Sequence, residues 1–152
     1  MLFRSPVQVP ANDGKAVNVF GVHLLMRLRA GDTGGALSTI ETHDAPGVGA
    51  PPHSHSREDE TFQVLEGEYE FTVDGRTIHA KSGAMLFAPR GGMHSYRCTG
   101  QSTGRLSVIF TPGGFEGFFD EIGALTPQQQ QDIPRVIEIG KKFGLEFPPP
   151  AA

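Results

Sequence analysis

Cysteine is nearly absent: Cys98 stands alone, which excludes an intramolecular disulfide, a cysteine-based zinc site and a secreted disulfide scaffold. A reducing, cytoplasmic setting is the expectation. Basic runs are absent too. The formal charge is -4 and the longest run of basic residues is the pair Lys141-Lys142, so nothing offers the electrostatic footprint that a nucleic-acid partner requires. No stretch approaches the ~20 consecutive apolar residues of a membrane span, and the N-terminal Met1-Leu2-Phe3-Arg4 lacks the basic and then apolar build of a signal peptide. No membrane partner is expected.

What is present is punctuation. Twenty glycines and twelve prolines stand among 152 residues, of which 38% are hydrophobic and 20% charged. That length supports one domain with one core, and so many turn residues between short apolar runs favour an all-β architecture. Residues 17–29 read as one or two strands, broken by the glycine-rich 31–35. Further strands are expected at 37–43, 61–65, 69–73, 84–88, 94–98 and 106–110, with Asp74-Gly75 as a hairpin turn, for nine or ten in all. The prolines of 46–52 force an extended approach to His53.

Beyond Thr111 the period changes. Phe115, Phe118, Phe119 and Ile122 have the spacing of one helical face. Thr126, Pro127 and Gln129 fit the N-cap, N1 and N3 positions of a capping box, and Pro134 interrupts the helix that this box would open, predicting a kink or two short helices that end near Gly144. The barrel core is placed at about 17–111 and the helical extension at about 115–144; in the tail, 145–152, the proline-rich 148–152 is expected to be disordered.

Against this scaffold, His53, His55, Glu60 and His94 form a distinctive set. His53 and His55 are two apart, so on a strand they share a face. Glu60 opens the next apolar run after the polar link 56–59, and His94 comes after the turn Pro89-Arg90-Gly91-Gly92. Imidazoles with a single carboxylate suit one divalent transition metal ion (Fe, Mn, Ni, Cu, Co or Zn) better than Ca or Mg, which favour more oxygen donors. The alternative is that these four are ordinary loop and surface residues. His23, His43 and His79 fall outside the pattern and are read as solvated or hydrogen-bonded, and Glu58-Asp59 as a solvated rim.

Gly47, His53, His55, Glu60 and Gly67 fit G-x5-H-x-H-x4-E-x6-G, while Gly83, Pro89, Gly91 and His94 fit G-x5-P-x-G-x2-H. Together they resemble the two signature motifs of the cupin superfamily; the Asn that usually closes the second motif is Cys98 here. Within the superfamily, the sequence after Glu60 and that after Thr111 resemble small bacterial cupins related to quercetin 2,3-dioxygenase. The resemblance implies a double-stranded β-helix, or jelly-roll, barrel with short C-terminal helices. It also implies a metal held by His53, His55, Glu60 and His94, and a homodimer paired through edge strands.

The activity implied is a dioxygenase acting on a small aromatic or enolic substrate, with Glu60 as both ligand and base. A non-redox isomerase or lyase, or a small-molecule-binding barrel without turnover, stays open beside it, since fold alone settles none of these. Period-two alternation puts Phe62 and Val64 on the face of Glu60, and Tyr96 and Cys98 on the face of His94. With Phe110 they are the expected substrate pocket. Cys98 is otherwise a small buried apolar side chain, Tyr96 a packing residue, and the Phe115, Phe118, Phe119 face a plug for the barrel.

Overall fold

Alternation of inward and outward side chains organises eleven strands among residues 4–151, which the computed structural model describes. They are β1 (Lys15–Val19), β2 (Val22–Leu28), β3 (Ser38–Asp44), β4 (Gly49–His55), β5 (Asp59–Glu66), β6 (Glu68–Val73), β7 (Arg76–Lys81), β8 (Met85–Ala88), β9 (His94–Cys98), β10 (Gly104–Thr111) and β11 (Leu145–Glu146). Three helices complete the fold: α1 (Ala30–Thr33), α2 (Glu116–Gly123) and α3 (Ile133–Lys142). The strands form two antiparallel sheets, ordered β1-β2-β3-β10-β5-β8 and β11-β4-β9-β6-β7. They face each other as a jelly roll around one core.

The period-two pattern is cleanest in β10, where Gly104, Leu106, Val108 and Phe110 are buried and the residues between them are not. Its register fixes three inward rows across the larger sheet. Phe110 lies between Ser38 and Glu60, Val108 between Ile40 and Phe62, and Leu106 between Thr42 and Val64. These rows set the depth of everything that points into the barrel.

Turn chemistry explains the hairpins. Asp74 (φ 47) and Gly75 (φ 78) make the expected tight turn between β6 and β7. The stretch 17–29 is two strands, because Phe20 (φ 52) and Gly21 (φ 82) make the same left-handed pair. Phenylalanine is a poor turn signal, which hides this hairpin in the sequence. Pro51-Pro52 lie within β4, at the shift of register against β9 between Ala50 and His53. A bulge tolerates residues without an N–H.

In the C-terminal region one of the two expected outcomes at Pro134, two short helices, is what forms, and other details differ. The Thr126–Gln129 capping box forms, with Gln129 N–H donating to Thr126 Oγ1 (3.2 Å) and Thr126 N–H to Gln129 Oε1 (2.9 Å), but it opens a single 3-10 turn, Gln129–Gln131. Pro134 does not kink a helix; it sits in the first turn of α3, whose N-cap Asp132 accepts from Arg135 N–H, because proline's fixed φ suits that turn. Two short elements therefore succeed each other, and α3 ends at Lys142. The expected tail begins with a strand, since Leu145 and Glu146 pair with His55 and Ser54. Pro148 to Ala151 join no regular element, and Ala152, like Met1 to Phe3, lies outside the described residues.

Residues 31–35, expected as a plain break, carry the short α1. It is tied to α2 through buried Glu116, whose Oε1 accepts from Ala30 N–H and Oε2 from Gly114 N–H. Gln130 anchors the β1–β2 turn: its Oε1 accepts from Phe20 N–H, and its Nε2 donates to the carbonyls of Asn18 and Ile122. No helix among the described residues is long and apolar enough to cross a membrane.

Candidate metal centre

His53 on β4 lies directly opposite His94 on β9. His55, two residues on, shares the face of His53, and Glu60 projects from β5 in the facing sheet. Three imidazoles from one sheet thus meet a carboxylate from the other. Their ligand atoms all lie within 4.8 Å of one another, so this cluster could hold a metal ion. The link between His55 and Glu60 is pinned from outside. Ser56 N–H donates to Gly144 O (2.9 Å), and Gly91 N–H donates to His55 O (2.7 Å), which ties the turn before His94 to the end of β4. Asp59 and Arg90 clamp the same turn at 3.1 Å.

Each imidazole turns Nε2 toward Glu60 and Nδ1 toward an oxygen. His53 Nδ1 lies 2.8 Å from Pro51 O, and His94 Nδ1 lies 3.0 Å from Gly92 O. A carbonyl only accepts, so Nδ1 carries the proton and the lone pair of Nε2 faces inward. His55 Nδ1 faces Glu58 Oε2 at 3.5 Å. The Glu60 Oε2 atom is 2.5 Å from His94 Nε2, 3.2 Å from His55 Nε2 and 4.0 Å from His53 Nε2. Yet neither Glu60 Oε2 nor His94 Nε2 has a hydrogen-bond partner of acceptable geometry. Buried lone pairs converging on a carboxylate call for a cation between them. The donor set fits a divalent transition metal.

Electrostatics make Glu60 an anion and leave His53 neutral. Loss of water pushes His53 down to about 4, so it is neutral and ready to coordinate across the physiological range. Burial alone would raise Glu60, but His55, His94 and His53 outweigh it and hold the carboxyl below its ordinary range. For His94, burial opposes the charged form and the Glu60 carboxylate outweighs it, raising the imidazole. The carboxylate is anionic.

The cluster forms part of the wall of a cavity inside the barrel. His53, His55 and Glu60 line it, with Phe62, Tyr96 and Phe110 as expected. Val64 and Cys98 do not. Both face inward and are buried, but inward-pointing Tyr69 and Phe71 of β6 pack among Phe62 and Tyr96 and fill the barrel at that level. Cys98 is closed off opposite Tyr69, its thiol 3.7 Å from Ser102 O. Much of the remaining wall comes from residues that sequence reasoning did not assign to it, among them Phe20, Val22 and Leu24 near the first hairpin, Ile40 and Thr42 on β3, Val108 on β10, and Leu145 and Phe147 from the tail. Alternation with Phe110 signals Val108; the tail carries no such signal. Phe115, Phe118 and Phe119 line the cavity too, and Phe115 packs edge-on against His55 with ring centroids 4.3 Å apart. No Lys or Arg is among these lining residues.

Glu58 corrects the expectation of a solvated rim. It is only 5% exposed, and neither its Oε2 nor His55 Nδ1 has another partner. A carboxylate behind a ligating imidazole orients it and raises its basicity. His23, His43 and His79 stay outside the cluster, near Asn18, Glu41 and Glu70 respectively.

A two-sheet barrel with this His-His-Glu-His arrangement agrees with a family comparison in which residues 40–110 match the cupin domain model. Residues 40–110 are a cupin domain. The quercetin 2,3-dioxygenase of Bacillus subtilis (strain 168) is 33% identical over 92 residues, 60% of this chain and 27% of that enzyme. The chain therefore spans about a quarter of that relative's length. Among solved structures, KdgF from Halomonas sp. superposes with a TM-score of 0.65 at 18% identity, covering 72% of this chain and 96% of that one. A predicted oxalate decarboxylase from Thermotoga maritima gives 0.64 at 20% identity, with 70% and 99% covered. These two neighbours share the cupin fold; at such identities the likeness carries no further.

Proposed function

We propose that the protein is a metal-dependent cupin dioxygenase acting on a small, flat aromatic or enolic substrate of the flavonol kind. One observation carries this reading: a three-histidine, one-glutamate cluster opens into a cavity walled by phenylalanines and aliphatic side chains, with no Lys or Arg to receive a phosphate or a carboxylate. The likeness to quercetin 2,3-dioxygenase supports oxygenation over the other chemistries such a site can host.

His53, His55 and His94 through Nε2 and Glu60 through Oε2 would hold the metal ion, which when bound supplies a Lewis acid and, if redox-active, an electron-transfer partner for dioxygen. Glu60 is also the base. Its carboxyl is ionised, and its Oε1, the oxygen not given to the metal, takes the proton of a substrate enol or phenol hydroxyl placed beside it. Deprotonation raises electron density on the adjacent ring carbon, where dioxygen adds. Phe62, Phe110 and Phe115 sandwich the flat skeleton and exclude water, which keeps the anion reactive. Glu58 keeps the His55 ring aligned through Nδ1.

Dioxygen consumption decides the matter. Protein loaded separately with Fe, Mn, Ni, Cu or Co consumes oxygen with a flavonol, and His94→Ala abolishes the uptake. Turnover that persists equally with zinc, which has no redox chemistry, would instead identify an isomerase or lyase. Binding of the flavonol without product by every metal form would identify a non-catalytic barrel.

A further inference from the structure

Of the described residues that line the cavity, only Phe20 and Pro51 are exposed, Phe20 at 42%. They mark where the cavity meets solvent. The deeper rings, Phe62, Phe110, Phe115, Phe118 and Phe119, lie against one another or against the imidazoles of the cluster. Among the described residues no ring lies against that of Phe20, so its face is open to a ring that enters the cavity.

The backbone beneath that ring is held against its preference. Phe20 stands at φ 52, a left-handed conformation that a bulky side chain avoids and that Asn or Gly takes readily. For the hairpin alone, Asn before Gly21 would serve better. Instead a buried glutamine from the far end of the chain fixes the turn: Gln130 Oε1 accepts from Phe20 N–H at 2.8 Å, while Nε2 donates to Asn18 O at 3.0 Å and to Ile122 O at 3.1 Å. Backbone outliers that their surroundings over-determine cluster at ligand clamps. The hairpin gains nothing from this phenyl ring; the mouth of the cavity does.

The cavity is also longer than one ring. Glu60 shares a row with Phe110 and Ser38, and the lining residue Leu24 shares a row with Thr42, four positions along the strands, about 13 Å at the usual rise. The Phe20 turn lies beyond Leu24. A flat core seated beside Glu60 leaves this outer end for a second ring.

We propose that Phe20 is the specificity residue of the cavity mouth: its ring packs on the pendant ring of a ligand whose flat core is seated beside Glu60, and so selects such ligands over the bare core. The inference rests on the reading of this cavity as the substrate site.

The test is binding rather than turnover. Zinc-loaded protein is titrated by calorimetry with a flavonol and with the same core carrying a methyl group in place of the pendant ring. Wild type binds the flavonol more tightly, by about tenfold or more. Phe20→Asn brings that ratio down by about tenfold and changes affinity for the methyl compound by no more than about twofold. It also melts no lower than wild type, which a packing residue would not allow, because Asn suits the turn. Phe20→Tyr keeps the ratio. Should Phe20→Asn melt lower than wild type, Phe20→Leu decides alone: it keeps apolar bulk without a ring face, and the ratio falls in it by about threefold or more. A ratio that survives in the deciding variant, or equal affinities for the two probes in wild type, overturns the role of Phe20 and leaves the substrate site standing. Wild type that binds neither probe overturns both.

Discussion

Two buried carboxylates, Glu60 and Asp44, sit on inward-facing positions of one sheet and are driven in opposite directions. Burial pushes each of them up. Around Glu60 three imidazoles reverse that push and hold the carboxyl low. Around Asp44 the hydroxyls of Thr42 and Tyr69 temper it only in part, and the carboxyl stays above its ordinary 3.8. Low exposure therefore does not distinguish a carboxylate set among metal-competent groups from a structural one; the company it keeps does. Cationic or metal-competent neighbours make Glu60 an anion, while hydroxyl neighbours make Asp44 an anchor for other groups' hydrogens.

The sharpest way to break this contrast is to neutralise each carboxylate. Glu60→Gln lowers metal affinity by more than about a hundredfold, since it removes a ligand and not just the support of one. Asp44→Asn leaves metal stoichiometry intact. Elemental analysis of both variants after identical loading checks the pair, and equal losses would mean that the two sites are not distinct. A smaller effect is expected one step behind the ligands. Glu58→Ala leaves His55 Nδ1 without its carboxylate and weakens metal binding by about 10- to 100-fold, while Glu66→Gln, exposed at the far end of β5, does not; competition titration against a chelator reads the difference.

The smallest effect is a matter of slope in the metal-free protein. Glu60, held low, contributes stability that is present above its ordinary 4.5 and lost as pH falls through its folded pKa. Asp44, held high, keeps a proton that the unfolded chain releases near 3.8, so its contribution is lost as pH rises from there through its folded pKa. Denaturation midpoints across the acid range should therefore show Glu60→Gln losing the acid-side decline and Asp44→Asn gaining on wild type as pH rises. Curves for both variants that run parallel to wild type would contradict the assignment.

The His-His-Glu-His cluster was legible in the sequence because its information is local. Spacing of two puts His53 and His55 on one face, and turn residues fix where Glu60 and His94 enter their strands. Phe62 and Tyr96 follow by alternation from those ligands. Val64 and Cys98 obey the same alternation but miss the cavity, because the barrel at their depth is filled by Tyr69 and Phe71 from another strand, and depth is a property of register between strands. Glu58 was hidden for a related reason: a charged residue in a polar link has no periodicity to mark it as buried. Leu145 and Phe147 were hidden because two residues of edge pairing leave no pattern long enough to read.

The signature itself divides along physical lines. Gly47, Gly67, Gly83 and Gly91 all adopt positive φ, from 79 to 93, and Pro89 stands in the turn that Gly91 ties to His55. These five positions describe how the chain bends, while His53, His55, Glu60 and His94 describe what it holds. Nothing in the bends needs the ligands. A variant that exchanged all four for apolar residues would keep half the signature and the means to close its barrel, so shape and chemistry are written into separate residues of this chain.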